Sequence, residues 1–366
     1  MATLGPNDLK QWAVPAGWDA ARLLAIKLAS GESYEQLIND ISQGLALANA
    51  TLTSDPLMAS LLGLTEEYAI EYRSGVSNGF EDHSEYAMPD MKRAATTGHM
   101  LEPITKDRRL GWTWDFLRKA RRAQIDADIA SAMQDLRDIW QKSALTRLFK
   151  STYTAVGSSG KSMPVADGVT ADSTYVPVNH PERASAFAYT HTHLQRLSGI
   201  TQANLETVVA HLWEHGVDGP FDLLVAQADT GSWSNTTNVT GWIKRADTAI
   251  RYGTQTDLAN VGNDFIGVIE TSAYGAVRVR ANARIPTKYY ALYKSFGPMD
   301  ARNVLAVRPS PQFGLGAALL AGDHIREFQL EGAILFLEMW LGVQDRAGAV
   351  LCYNHTSGSY TDPTIS

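Results

Sequence analysis

The chain has 366 residues, 45% apolar and 19% charged, an ordinary balance for a soluble globular protein with room for two or three cores. Its 32 Lys plus Arg stand against 39 Asp plus Glu, a formal net charge of -7, which argues against a protein that grips phosphates over most of its surface. The single cysteine, Cys352, excludes an internal disulfide and a cysteine-built metal cage, and no apolar run reaches the length of a membrane span. The opening residues MATLGPNDLK lack the basic start and apolar run of a secretory signal, so a cytosolic origin is expected.

Residues 1–62 are predicted helical. Trp18 to Ala29 carries Leu23, Leu24, Ile26 and Leu28, with Gly31 as a stop. A second helix starts at Ser33 and places Leu37, Ile38, Ile41 and Leu45 on one side. Ser33 and Gln36 fit a capping box, and Asp55-Pro56 closes the region. Residues 63–111 have few large aliphatic side chains and cannot bury a core of their own. Tyr68 to Tyr72 and His99 to Ile104 alternate like strands across a long polar excursion. An extended hairpin is predicted, stable only where something else covers it.

Over 113–149 apolar residues recur every three or four positions, from Phe116 and Leu117 through Ile125, Ile129, Leu136 and Trp140 to Leu148. Neither Gly nor Pro interrupts the run. One long helix is predicted, with Thr113 as N-cap and Asp115 in the first turn, spanning roughly 50 Å. Residues 154–190, with GSSGKS and Pro164, Pro177 and Pro181, read as a loop and boundary. A second unit follows. Thr201 caps a helix through Glu214 that Gly216 ends, and Phe221 to Ala226 is a short apolar strand. After a polar loop at 229–262, strands are predicted at Phe265–Glu270, Ala276–Ala281, Lys288–Tyr293, Ile334–Gly342 and Ala347–Tyr353.

Several motifs invite a chemical interpretation. His211-Leu-Trp-Glu214-His215 matches the H-x-x-E-H of inverted zinc peptidases: on a helix the two histidines share a face, and Glu214 would be the general base. The third ligand is poorly supplied, since Glu270 falls in a strand and Glu327 and Glu331 lie near the chain end. The simpler account is a helix end where two histidines favour the C-terminal dipole. Gly157 to Ser162, GSSGKS, resembles a phosphate loop, but position 155 is Ala, so a solvated flexible loop is expected. His191 and His193 form a two-histidine cluster with no His, Asp or Glu at a supporting spacing, the pattern of a surface or interface pair. Arg118, Lys119, Arg121 and Arg122 form a basic cluster, either a solvated helix face with pairs such as Asp138 and Lys142, or a seam facing DNA or another subunit. No catalytic, metal or cofactor-binding residue is assigned, and no cofactor is implied.

The order of elements carries a resemblance. Helical arm, extended hairpin, long helix, mixed α/β unit and returning strands resemble the major capsid proteins of tailed phages, the Hong Kong 97-type fold. Residues 283–311 (ARIPTKYYALYKSFGPMDARNVLAVRPSP) resemble the late A-domain segment of that family. Residues 331–354, with LGVQDRAGAV, resemble its closing strands, and residues 198–226 its A-domain helix and strand. The resemblance implies an α+β fold with an N-arm at 1–62 and an E-loop at 63–112. The spine helix and P-domain with a connecting loop would be 113–197, the A-domain 198–325, and the return strands and tail 326–366. It implies a non-enzymatic shell subunit that assembles into the hexamers and pentamers of an icosahedral virion head, built in the host cytoplasm. Portal, scaffold and cement proteins would be partners, and double-stranded DNA would be enclosed without sequence-specific contact or a membrane. No long scaffolding-like region precedes the arm, so the expectation is either a separate scaffold protein or a pro-segment absent from this chain. Some members cross-link a loop Lys to an Asn; Lys92, Lys106 and Asn354 stand in related regions, and no cross-link is assigned. An encapsulin-type compartment is the alternative with the same fold, and a zinc hydrolase using His211, Glu214 and His215 the alternative from another class.

Overall fold

A computed structural model describes residues 27, 29–74, 83, 85, 88, 95–113, 116, 119–158, 160–168, 175–178, 192–245, 264–321 and 330–366. The helix expected over 18–29 and most of the excursion at 75–94 lie outside the described residues, as do Lys92, Arg118, His191 and Glu327.

Helix α1 (Tyr34–Ser54) starts as its sequence dictates. The Ser33 hydroxyl accepts the Gln36 N–H at 3.2 Å, and the Gln36 side chain accepts the Ser33 N–H at 2.8 Å, closing both halves of the capping box. Asp55 then caps α2 (Pro56–Leu61), accepting the Leu57 and Met58 amides, with Pro56 at the one position where a missing N–H costs nothing. The chain runs directly into β1 (Leu62–Leu64). Strands β2 (Ala69–Ser74) and β3 (Ala95–Met100) form the expected antiparallel hairpin, in register from Ala69–Met100 to Ser74–Ala95. Ile70 and His99 lie on its buried face, whereas Ala69, Glu71, Thr96, Gly98 and Met100 are exposed. The strand signal at 99–104 continues into β4 (Glu102–Thr113), a 12-residue strand with mostly exposed side chains.

The long helix is α3 (Arg122–Phe149), 28 residues and about 42 Å at 1.5 Å per residue. It begins at Arg122 and not at Thr113, which is the last residue of β4. The Gln124 side chain folds back onto the Arg121 amide at 3.2 Å, so a helix start forms with neither Gly nor Pro to announce it. In its first turns α3 buries only a narrow stripe, Ile125, Ala132, Leu136 and Trp140. Its end is buried nearly all round, at Ala144, Leu145, Arg147, Leu148 and Phe149.

Beyond α3, β5 (Thr154–Val156) and β6 (Gly160–Ser162) make a small hairpin. Next come β7 (Leu194–Leu197), α4 (Gln202–Trp213), β8 (Phe221–Ala226), α5 (Thr230–Trp233) and β9 (Trp242–Lys244). The last strands are β10 (Phe265–Glu270), β11 (Ala276–Asn282), β12 (Tyr289–Tyr293), β13 (Leu305–Pro309), β14 (Ala317–Ala321), β15 (Leu330–Val343) and β16 (Ala349–Asn354). Strands β1, β5, β6, β7, β9, β13 and β14 were not foreseen from the sequence pattern; each is only three to five residues long, and β5 and β6 fall in the stretch expected as a loop.

Contacts divide the chain into two units. One comprises Met1–Ser54, Pro103–Gln141 and Arg308–Trp340; the other comprises Asp55–Glu102, Lys142–Val307 and Leu341–Ser366. In the first, β14 pairs antiparallel with β15, and Leu37 and Ile41 of α1 bury against Ile125 of α3, with Trp112, Phe116, Ile129 and Leu319 around them. In the second, seven strands form one mixed sheet in the order β7-β16-β12-β8-β11-β10-β9. All six residues of β8 are buried, as a central strand covered on both faces requires. Thr201 caps α4 by accepting the Asn204 amide, as predicted. The helix brings Leu205, Val208, Val209 and Leu212 into the same core as Leu223, Val225, Val279 and Leu292. Burying these four aliphatic side chains contributes roughly 1.5–3 kcal/mol each. Gly63 in β1 has no room for a side chain, since a Cβ there would lie 2.3 Å from the Asp300 carbonyl oxygen.

Candidate functional site

The H-x-x-E-H stretch lies where α4 stops. Gly216 adopts φ 81°, which ends the helix as expected, and Glu214 is its C-cap. His215 therefore sits in the turn beyond the helix and does not share a helical face with His211, as the zinc reading required. The His211 Nε2 lies 3.3 Å from the Thr192 carbonyl and 3.2 Å from the Gln195 amide nitrogen. Both ring nitrogens of His215 are engaged: Nδ1 with the Val178 carbonyl at 2.8 Å, and Nε2 with Nε2 of His193 at 3.0 Å. The Glu214 carboxylate stands 3.8 Å from His215 Nε2 and 3.9 Å from His211 Nδ1. Among the described residues no group of three or more His, Cys, Asp or Glu is placed to hold a metal ion. Glu270 lies in β10 and Glu331 in β15, neither on a helix.

His193, expected as half of a surface pair with no supporting partner, is fully buried and has one in His215. Its Nδ1 reaches the Ala349 carbonyl at 2.8 Å. The meeting of His193 with His215 has no signal in the sequence, because 22 residues and a helix separate them.

The GSSGKS stretch is a tight hairpin turn and not a free loop. Gly157 adopts φ 62°, Ser162 is buried, and a Cβ on Gly160 would lie 2.6 Å from both Met100 Sδ and the Val156 carbonyl oxygen. Lys161 places its ammonium 4.9 Å from the centre of the Tyr153 ring. The basic cluster is no uniform solvated face either. Arg122 meets Asp126 (2.7 Å), Asp40 (2.8 Å) and Glu32, three carboxylates that hold its guanidinium well above its ordinary pKa and tie α1 to α3 within one unit. Arg108 of β4 likewise pairs with Asp135 of α3. Lys106 is an exposed residue of β4, and Asn354 accepts the Gly199 amide at 2.7 Å.

The features that stand out among the described residues are surfaces: a hairpin with one bare face, a 12-residue strand with little cover, and a helix half bare in its first turns. No protein-family model and no curated protein sequence matches the chain. Solved structures do. A structure from Mycobacterium phage Patience matches with a TM-score of 0.62 and 20% identity over 94% of each chain. The capsid of cyanophage Pam1 matches with a TM-score of 0.51 and 8% identity, covering 82% of this chain and 89% of that one. The capsid of Ralstonia phage GP4 matches with a TM-score of 0.50 and 9% identity, covering 82% and 91%. The chain has the α+β, Hong Kong 97-like fold of phage capsid subunits.

Proposed function

We propose that this chain is the major capsid protein of a tailed double-stranded DNA phage, a structural subunit that assembles into the hexamers and pentamers of an icosahedral head. The observation that carries it is co-extension: the fold matches that of a phage structure over 94% of both chains. Exposure supports it. A two-stranded hairpin is marginal on its own, and a helix of about 42 Å whose first turns bury only one narrow stripe asks for covering neighbours there. Closed shells supply such neighbours by repeating heterologous contacts until the rotations close. Under this proposal residues 1–62 are the N-arm, 63–112 the E-loop, 113–197 the spine helix and P-domain, 198–325 the A-domain, and 326–366 the return strands and tail. The further partners are portal, scaffold and cement proteins and enclosed DNA held without base-specific contact, with assembly in the host cytoplasm and residence in the virion.

The test is negative-stain microscopy of the full chain after size exclusion. Closed shells, or rings of five and six, are the expected result. A stable monomer or dimer across a range of concentration and salt would overturn the proposal.

A further inference from the structure

We infer that His193 and His215 share one proton between their Nε2 atoms, and that this buried cation is a pH-gated clasp joining the chain at Val178, the start of β7 and the end of α4. The inference follows from counting hydrogens. The Nδ1 atoms of both rings face backbone carbonyls, Ala349 and Val178, each at 2.8 Å. Carbonyls only accept, so both Nδ1 atoms carry a hydrogen. The two Nε2 atoms then meet at 3.0 Å, a hydrogen-bond distance that needs one hydrogen of its own. Three ring hydrogens on two imidazoles make a single positive charge. The rings lie 26° from parallel with centres 4.9 Å apart, and His193 is fully buried.

A buried charge persists only with a counter-charge. Glu214 supplies it, 3.8 Å from His215 Nε2. The other titratable and charged groups described on the surrounding segments have these partners. His211, its ring centre 5.5 Å from that of His193, spends Nε2 on the Thr192 carbonyl and shares the Glu214 carboxylate, which lies 3.9 Å from its Nδ1. Asp167 and Arg346 pair with each other at 3.7 Å, and the Arg346 guanidinium lies over the Tyr175 ring. Asp345 accepts the Ala347 amide, and Arg196 donates to the His355 carbonyl.

The clasp closes in one protonation state. A second proton sets two N–H groups face to face, and removal of the first sets two lone pairs face to face. Stability from the pair is therefore lost on both the acid and the alkaline side, whereas a lone histidine loses it on one.

The test measures thermal unfolding of the full chain from about pH 4 to about pH 10. The proteins compared are wild type, His193→Gln, His215→Gln and the double variant. Wild type is expected to exceed the double variant by a few °C in a middle window, on the order a pair of this size gives, with the gap closing on both flanks and each single variant behaving as the double. Glu214→Gln keeps the pair but removes the charge that holds its proton, so the alkaline flank moves to lower pH. That shift is read even where the histidine variants fail to fold. A gap that is flat with pH, or closes on one flank only, overturns the inference. So does one zinc ion per chain in protein purified without added metal, because a metal would stand where the proton is placed. The outcome is independent of whether the chain builds a shell.

Discussion

Replacing Asn303 tests how the second unit is tied together. Its side chain is fully buried between α2, β1 and the turn before β13. The amide nitrogen lies 2.8 Å from the Leu62 carbonyl, 2.9 Å from that of Gly297 and 3.2 Å from that of Ala59, and the amide oxygen accepts the Phe296 N–H at 2.9 Å. Three carbonyls on one side and an N–H on the other fix which end is nitrogen. Asn303→Ala takes this partner from the Leu62 carbonyl and the Phe296 N–H, whereas the Ala59 and Gly297 carbonyls keep the Met299 and Asp300 N–H groups; at roughly 1–3 kcal/mol per unsatisfied group the expected loss is on the order of 2–4 kcal/mol. Asn303→Asp has the same shape and still accepts from Phe296, yet it turns a carboxylate oxygen toward three carbonyl oxygens. At neutral pH it should be less stable than the alanine variant. Native burial disfavours its charged form, so the folded state binds the proton more tightly than the unfolded state does, and stability returns as pH falls. Denaturant unfolding of the unassembled chain at neutral and acid pH reads both effects. An aspartate variant as stable as the alanine variant at neutral pH, or one that gains nothing in acid, would refute the assigned hydrogen bonds.

Three further outcomes are expected. Arg122→Ala should cost about 1 kcal/mol, because its carboxylate partners Glu32, Asp40 and Asp126 are half exposed and screened, and high salt should shrink the gap to wild type in urea unfolding. Burial raises the Asp345 carboxyl above its ordinary value, against backbone hydrogen bonds from Ala347 and Gly348 that lower it. The folded state therefore favours its protonated form, so Asp345→Asn should be more stable than wild type at neutral pH and lose that advantage as pH falls through the raised value, which a pH series of unfolding midpoints checks. Cys352 is fully buried in β16 and burial pushes its thiol far up; a thiol reagent should leave it unmodified in the folded chain and label it on unfolding, and labelling of native protein would contradict the sheet order.

The elements legible in the sequence are those whose hydrogen bonds and apolar contacts are local. The capping box of Ser33 and Gln36, the Thr201 cap, the stop at Gly216 and the apolar run of β8 each lie within a few residues, and each forms as expected. The elements that were missed depend on distant partners. Strand β13 pairs with β1 in the register Leu62–Leu305, and β7 pairs with β16 as Leu194–Leu351, pairings no local pattern specifies. The start of α3 was placed too early for a related reason. Apolar periodicity continues through 113–121, but β4 claims residues up to Thr113 for pairing, and the Gln124 side chain takes the Arg121 amide.

The histidine pair carries the same lesson to the level of a site. H-x-x-E-H is a statement about one helical face, and it holds only while the helix lasts. Here α4 ends at Trp213, so the motif's last histidine leaves the face and turns toward His193. What fixes its chemistry is a pair of carbonyls, Val178 and Ala349, contributed by chain segments far apart in sequence. A backbone carbonyl carries no side-chain identity, so nothing in the letters at 178 or 349 marks them as histidine acceptors. The proton count at His193 and His215 is set by the fold, and becomes readable only when three remote stretches of chain have been brought to one point.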